Sequence, residues 1–288
     1  MKKNGFARFA AAALSLAMLT GCGGGASQST DTKADGTQTG ESVELTVFAA
    51  ASMTETLNQI AEDYKSVDPN VTLTFNFASS GDLLTQIKEG ADCDVFISAA
   101  PKQMNALDGS LIEDTDKNPD GLDELLDGTR IDLLENKVTL AVPEGNPKGV
   151  QSFDDLADKL KSSDVLLAIG NSDVPVGQYT QKIFAHYGLD EAALVSSGVL
   201  TYGSNVKEVT TQVSEGAVDC GIIYATDAFS AGLATVDEAT AEMCGQVIYP
   251  AAVLKNSAHA GEAKAFLEYL TGDEAGKVFE SVGFTPLA

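Results

Sequence analysis

Two short stretches carry the residue types best placed to do chemistry, Leu45-Thr-Val-Phe-Ala-Ala-Ala-Ser52 and Val71-Thr-Leu-Thr-Phe-Asn-Phe-Ala-Ser-Ser80-Gly81. Each is a strand-like run that stops at serine and passes directly into an amphipathic helical pattern. A serine at such a junction offers a hydroxyl beside backbone N–H groups that have no intrahelical acceptor. Two of these junctions side by side make a neutral pocket of donors suited to an oxyanion. Simpler readings stay open for each residue alone. Ser52-Met-Thr-Glu55 fits a capping box, in which Ser52 only caps its helix, and Ser79-Ser80-Gly81 fits an ordinary turn. Other chemistries find less support. There is no G-x-S-x-G nucleophile elbow, and neither His186 nor His259 stands in a recognisable pattern with a serine, so the chain reads as a non-enzyme. Cysteines without C-x-x-C spacing and two widely separated histidines give poor grounds for a metal held directly by protein side chains.

The elements that must position these serines follow from periodicity. Leu45–Ala49 predicts a strand, followed by a helix from near Ser52 with Met53, Leu57, Ile60, Ala61 and Tyr64 at helical spacing. Val71, Leu73, Phe75 and Phe77 alternate with polar residues as a half-buried strand does. A helix from about Gly81 to Glu89 and a strand at Asp94–Ser98 complete a βαβαβ pattern, which points to a mostly parallel sheet covered by helices. A second series runs from Val138–Val142 through helices at Phe153–Lys161, Gly177–Tyr187 and Val206–Glu215 to a strand at Cys220–Tyr224. The remainder, Val247–Leu254 and two helices, has too few strands for a third domain and is expected to return to the first. The expected fold is α/β with two lobes: residues 44–134 and 226–288 form lobe I, and 135–225 form lobe II. The chain would cross between them near 133–140 and 224–230. Ligands of open α/β sheets sit beyond the carboxyl ends of the strands, so the serines would face the cleft.

The N-terminus reads as an address. Lys2, Lys3 and Arg8 precede an apolar run from Phe9 to Met18, too short to span a bilayer comfortably, and Leu19-Thr-Gly-Cys22 matches the bacterial lipoprotein box. Residues 1–21 are thus an expected signal peptide and Cys22 the expected lipidation site. Residues 22–43 are rich in Gly, Ser and Thr with almost no apolar side chain, as in a flexible tether. The 288-residue chain carries a net charge of −24, and loss of Lys2, Lys3 and Arg8 with the leader makes the remainder more acidic still. That charge argues against nucleic acid or an anionic bilayer surface as partner. The expected location is extracytoplasmic, with the membrane reached only through the lipid. In an exported chain Cys220 and Cys244 can pair as a disulfide, leaving Cys93 as a buried thiol; free thiols are the alternative.

Six motifs in order then resemble one known family: Val47-Phe-Ala-Ala-Ala-Ser52, Phe77-Ala-Ser-Ser80, Asp94-Val-Phe-Ile-Ser98, Val174-Pro-Val-Gly177, Gly221-Ile-Ile-Tyr224 and Val282-Gly-Phe284. Together, behind a lipoprotein signal, they are similar to the molybdate-binding (ModA-type) proteins of bacterial ABC transporters, over essentially everything after residue 44. The resemblance implies a periplasmic-binding-protein type II fold whose interlobe cleft takes molybdate or tungstate as a tetrahedral oxyanion, held by hydrogen bonds rather than cations, with no other cofactor. It implies that Ser52 and Ser80 each supply a hydroxyl and an N–H, that Val176 and Val206 supply backbone N–H groups, and that Tyr224 supplies its phenol. Val176 stands where many members have alanine, a harmless change if only the main chain is used. The Asn205-Val206 match is the weakest. Tyr224 alone reads equally as a core aromatic. Implied partners are an ABC permease and its ATPase, with the binding protein itself a monomer. Two alternatives stay open: the same scaffold tuned to sulfate, phosphate or an organic anion, and an expanded octahedral coordination using carboxylates. The acidic surface opposes anion capture only weakly, because charges beyond a Debye length of about 8 Å are largely screened.

Overall fold

The structure is a computed structural model, and it describes residues 42–288. The expected leader, the Cys22 lipidation site and nearly all of the expected tether lie outside the described residues. The chain opens with β1 (Val43–Ala50), a 3-10 turn at Ala51–Met53 and α1 (Thr54–Tyr64), then β2 (Val71–Ala78), α2 (Ser80–Lys88), β3 (Val95–Ile97) and α3 (Pro101–Asn105). Strand β1 lies between β2 and β3, parallel to both, and Leu45, Val47 and Ala49 are fully buried in it. Its register pairs Ala50 with Ala78. The two strands therefore end level with each other, and the Ser52 and Ser80 turns emerge side by side.

Next come β4 (Ile131–Asn136), β5 (Val138–Val142), α4 (Phe153–Lys161), β6 (Leu167–Gly170), α5 (Pro175–His186), α6 (Glu191–Ser197), β7 (Leu200–Gly203) and α7 (Val206–Ser214). They are followed by β8 (Cys220–Tyr224), α8 (Ala225–Ser230), β9 (Ala234–Glu238), α9 (Ala241–Cys244), β10 (Val247–Val253), α10 (Ala260–Leu270), α11 (Asp273–Ser281) and β11 (Thr285–Pro286). The strands form two sheets, ordered β11-β4-β10-β3-β1-β2 and β7-β6-β8-β5-β9, with helices against them. This is the two-lobed α/β architecture expected from the pattern, with β10 and β11 returning to the first sheet.

Three details differ from the sequence-based expectation. The sheets are mixed: β10 runs antiparallel to β3 and β4, and β5 runs antiparallel to β8 and β9. The return crossing falls after Glu238, because β9 pairs with β5 and so keeps residues 226–238 with the second sheet. Its sequence, Ala-Thr-Val-Asp-Glu, makes a short, largely exposed edge strand without an apolar face, which periodicity does not detect. The outward crossing is a single residue, Lys137, between β4 and β5. Finally, Cys220 and Cys244 are not bridged. Cys93, Cys220 and Cys244 are all free and buried. Cys220 begins β8 beside the Leu166 carbonyl, whereas Cys244 ends α9 against the carbonyls of Thr240 and Gly245. Strand pairing and the packing of α9 on α5 hold the two thiols in separate surroundings. Burial pushes the Cys220 thiol up to about 12 and raises that of Cys244, so neither is a ready thiolate.

Thiol titration without reductant checks this arrangement. Cys93, Cys220 and Cys244 are expected to stay unreactive in the native protein and all to react once it is denatured; loss of two of these sites would restore the disulfide.

Candidate functional site

The carboxyl ends of the parallel strands of both sheets open on one small cavity of about 10 Å³, lined by Ala50, Ala51, Ser52, Ala78, Ser79, Ser80, Ala99, Val174, Pro175, Val176, Val206 and Tyr224. Ser52, Ser80, Val176, Val206 and Tyr224, expected at the site, all lie on its wall. All are buried, Tyr224 being 1% exposed and Ser80 not at all. That is room for about one water molecule, far below the roughly 300–1,000 Å³ of pockets for drug-sized organic ligands. Among the described residues lining it there is no Lys, Arg, His, Asp or Glu.

Each wall segment is a strand end turning into a helix start. Ser79 caps α2 by accepting the Asp82 N–H at 3.1 Å, and its hydroxyl turns to the Asp82 carboxylate at 2.7 Å, so Ser79 is structural. Asn205 caps α7 in the same way through the Glu208 N–H, while the Glu208 carboxylate accepts the Ser204 N–H at 2.7 Å. These caps pair the third N–H of each helix and leave the first ones, at Ser80 and Val206, without a partner. Helix α5 has no side-chain cap and begins with Pro175, which has no N–H, so Val176 is its first donor. The N–H groups of Ser52, Ser80, Val176 and Val206 bond to no carbonyl of the described residues. The tight turn into α5 requires Gly177, since a Cβ there would sit 2.1 Å from the Asn171 carbonyl oxygen.

The serine hydroxyls are held by their hydrogen-bond partners. The Ala99 N–H donates to Ser80 Oγ at 2.9 Å. At Ser52 the orientation comes from a chain of bonds reaching the crossing between lobes. The Lys137 N–H donates to Asn136 Oδ1 at 2.8 Å, which fixes the amide so that Nδ2 faces Thr226 Oγ1 at 2.9 Å and the Tyr249 hydroxyl at 3.2 Å. Tyr249 accepts from Asn136 and shares a hydrogen bond with Ser52 Oγ, 2.9 Å away, in which either hydroxyl can donate. Ser80 is left with a proton to give. Tyr224 stands apart: its hydroxyl is buried beside the Tyr249 phenol but meets hydrogen-bond geometry with no partner. Burial, aided by the Tyr249 and Tyr179 phenols and Asp227, pushes its pKa well above the ordinary tyrosine value, so it too is a donor.

Ser52 does not cap α1. It lies within the 3-10 turn; α1 starts at Thr54 after Met53 with no side-chain cap, and Glu55 reaches away to Lys207 Nζ at 2.7 Å. The capping-box reading of Ser52 therefore fails, because the extra turn rotates its hydroxyl toward Tyr249. Sequence reasoning missed Ala99, which lines the cavity and bonds Ser80, and Asn136 and Tyr249, which hold Ser52 from outside the lining. It also missed Gly81, where a Cβ would lie 2.3 Å from the Asp173 carbonyl oxygen of the opposite lobe. Such roles leave no periodic or motif signal.

Comparison with known proteins agrees with this architecture. The model of the family described as bacterial extracellular solute-binding protein matches residues 45–285. The chain is 34% identical over 96% of its length and 96% of the other's to YvgL of Bacillus subtilis, provisionally named an ABC transporter substrate-binding lipoprotein. It is 33% identical to the molybdate-binding protein ModA of Haemophilus influenzae, over 85% of this chain and 91% of that one. The solved substrate-binding domain of a provisionally assigned molybdenum ABC transporter from Clostridium difficile superposes with a TM-score of 0.62 at 32% identity, covering 86% of this chain and 100% of that one. The chain belongs to the bacterial extracellular solute-binding proteins, in the ModA family, whose members bind and deliver solutes rather than transform them.

Proposed function

We propose that this protein captures molybdate, and tungstate with it, as a tetrahedral dianion between its lobes and delivers it to an ABC permease and its ATPase. The observation that carries the reading is the Tyr224 hydroxyl, buried without a partner in hydrogen-bond geometry, in a wall that holds no charged side chain. An unpaired buried hydroxyl costs about 1–3 kcal/mol, and an oxyanion beside it removes that cost. The hydroxyls of Ser52, Ser80 and Tyr224 and the N–H groups of Ser52, Ser80, Val176 and Val206 would surround the ion. A hydrogen bond to a charged partner is worth about 1.5–3 kcal/mol, so several preorganised donors suffice for micromolar or tighter affinity, about −8 kcal/mol. The positive ends of α2, α5 and α7 add to the attraction. No arginine is needed.

A wall without carboxylate acceptors favours a fully deprotonated dianion. Protonated phosphate needs an acceptor, and the Ser80 oxygen already accepts from the Ala99 N–H. The absence of carboxylates from the lining supports tetrahedral rather than expanded coordination. The relatives named for molybdate weigh toward molybdate over sulfate. The Leu19–Cys22 box supports a lipid anchor holding a monomer at the outer face of the membrane. A thermal-shift panel of molybdate, tungstate, sulfate, phosphate and chromate tests the reading, since a ligand of the folded state raises apparent stability. Molybdate and tungstate are expected to give the largest shifts. A larger shift with sulfate, or none with any of them, would overturn the proposal.

Three substitutions probe the donors and the closure. Ser80→Ala is expected to weaken binding by about 1.5–3 kcal/mol by titration calorimetry; an unchanged affinity removes Ser80 from the site. Tyr224→Phe separates two effects: affinity falls by a similar amount while the ligand-free melting temperature holds or rises, because an unpaired hydroxyl is lost. Gly81→Ala places a methyl against the Asp173 carbonyl and keeps the lobes from closing. Binding is expected to drop at least about tenfold with the melting temperature maintained, since Ala favours a helix over Gly by about 1 kcal/mol.

A further inference from the structure

All the residues lining the cavity except Ala78 are buried, so an ion enters or leaves when the lobes part. One ionic contact spans that movement. Lys207, the residue after Val206, extends Nζ to Glu55 Oε2 at 2.7 Å and to Asp227 Oδ1 at 3.1 Å. Glu55 lies on α1, three residues beyond Ser52, whereas Lys207 on α7 and Asp227 on α8 belong with the second sheet. Helix α7 packs directly on the Ala51–Met53 turn, so the contact stands beside two of the cavity's own wall segments.

The two halves of the contact are unequal. The Asp227 side chain is wholly buried, the Glu55 side chain is half exposed and the Lys207 side chain lies between at 29%. Neither Asp227 oxygen meets hydrogen-bond geometry with any donor, and Lys207 is its one ionic partner among the described residues. Removing that partner would strand a buried charge, so Lys207 stays with Asp227 whether or not the lobes are closed. Burial raises the Asp227 carboxyl to about 6 against the opposing pull of Lys207, which keeps it ionised at neutral pH. An ordinary surface ion pair is weak partly because two long side chains lose freedom in forming it. Here the lysine is already held on its own lobe, and closing orders only Glu55.

We propose that Lys207, anchored by Asp227, is a closure clasp that grips Glu55 across the cleft and lengthens the residence of the bound ion without touching it. The proposal rests on the reading of the cavity as an oxyanion site. Lys207 acts as a positioning residue: it holds the Val206 turn against the Ser52 turn, and its effect belongs to release rather than to capture.

The test uses Glu55→Gln, Glu55→Lys and Lys207→Arg, since removing the ammonium itself risks misfolding around Asp227. Stopped-flow displacement of bound molybdate is expected to show release about threefold faster in Glu55→Gln and faster still in Glu55→Lys, with capture rates little changed. Lys207→Arg is expected to keep release slow. Raising salt toward about 1 M, where the screening length is about 3 Å, should speed wild-type release toward that of Glu55→Gln and leave the variant nearly unaffected. A purely structural role would not produce that salt dependence. In parallel, an interlobe distance between spin labels at the exposed positions Glu89 and Ser162 is measured without ligand, where Glu55→Gln should shift the population toward open. Release rates and distances both unchanged in Glu55→Gln and Glu55→Lys would overturn the clasp. If molybdate fails to bind the wild type, the oxyanion reading falls, and the label distances still decide for or against the clasp.

Discussion

Helix starts with free backbone N–H groups, brought together where water is excluded, are the constraint around which this molecule is organised. An N–H or O–H buried without an acceptor is unfavourable, and here several face one small space: those of Ser52, Ser80, Val176 and Val206 from the main chain, and Tyr224 from a side chain. Under the proposed function, the complement of such a wall is a compact anion that accepts from several sides. The helix dipoles favour the same charge. The wall carries no cation, so its selectivity rests on the placement of neutral donors, which cannot follow a differently shaped ligand as a long flexible lysine could.

Everything near the cavity serves that placement. Caps at Ser79 and Asn205 pair the inner N–H groups and leave the outer ones free. The Ala99 N–H loads the Ser80 oxygen from behind, and the Asn136–Tyr249 chain holds the Ser52 hydroxyl in place. Small residues at Ala50, Ala51, Ala78 and Gly81 let two lobes approach until the wall is sealed. The same network ties the site to the hinge, because Asn136 ends the last strand before the Lys137 crossing and bonds Thr226 on the far side. Orientation of the Ser52 donor and the geometry of the crossing are thus one structural unit.

The acidic chain charge of −24 does not conflict with anion binding, for a reason of scale. Surface carboxylates are screened over about 8 Å at physiological salt, while the donors act at hydrogen-bond distance in a dry cavity. Asp227, a buried carboxylate near the site, is answered by Lys207.

The strand-to-helix junctions at Ser52 and Ser80, the alternation of Val71–Phe77 and the helical spacing after Met53 were legible from the chain alone, because burial on one face imposes a period on any sequence that survives in it. The motif order was enough to nominate Val176, Val206 and Tyr224 as well. Local sequence was silent where tertiary partners decide. It left Ser52 open as a cap, but Tyr249, from a strand near the other end of the chain, bonds that hydroxyl instead. It offered Cys220 and Cys244 as a disulfide, but strand pairing and helix packing keep both thiols free. It ended the second lobe early, since β9 is held by backbone bonds to β5 rather than by an apolar face. Residue types and their periods determine which donors exist; only the packed fold determines which of them remain unpaired, and toward what they point.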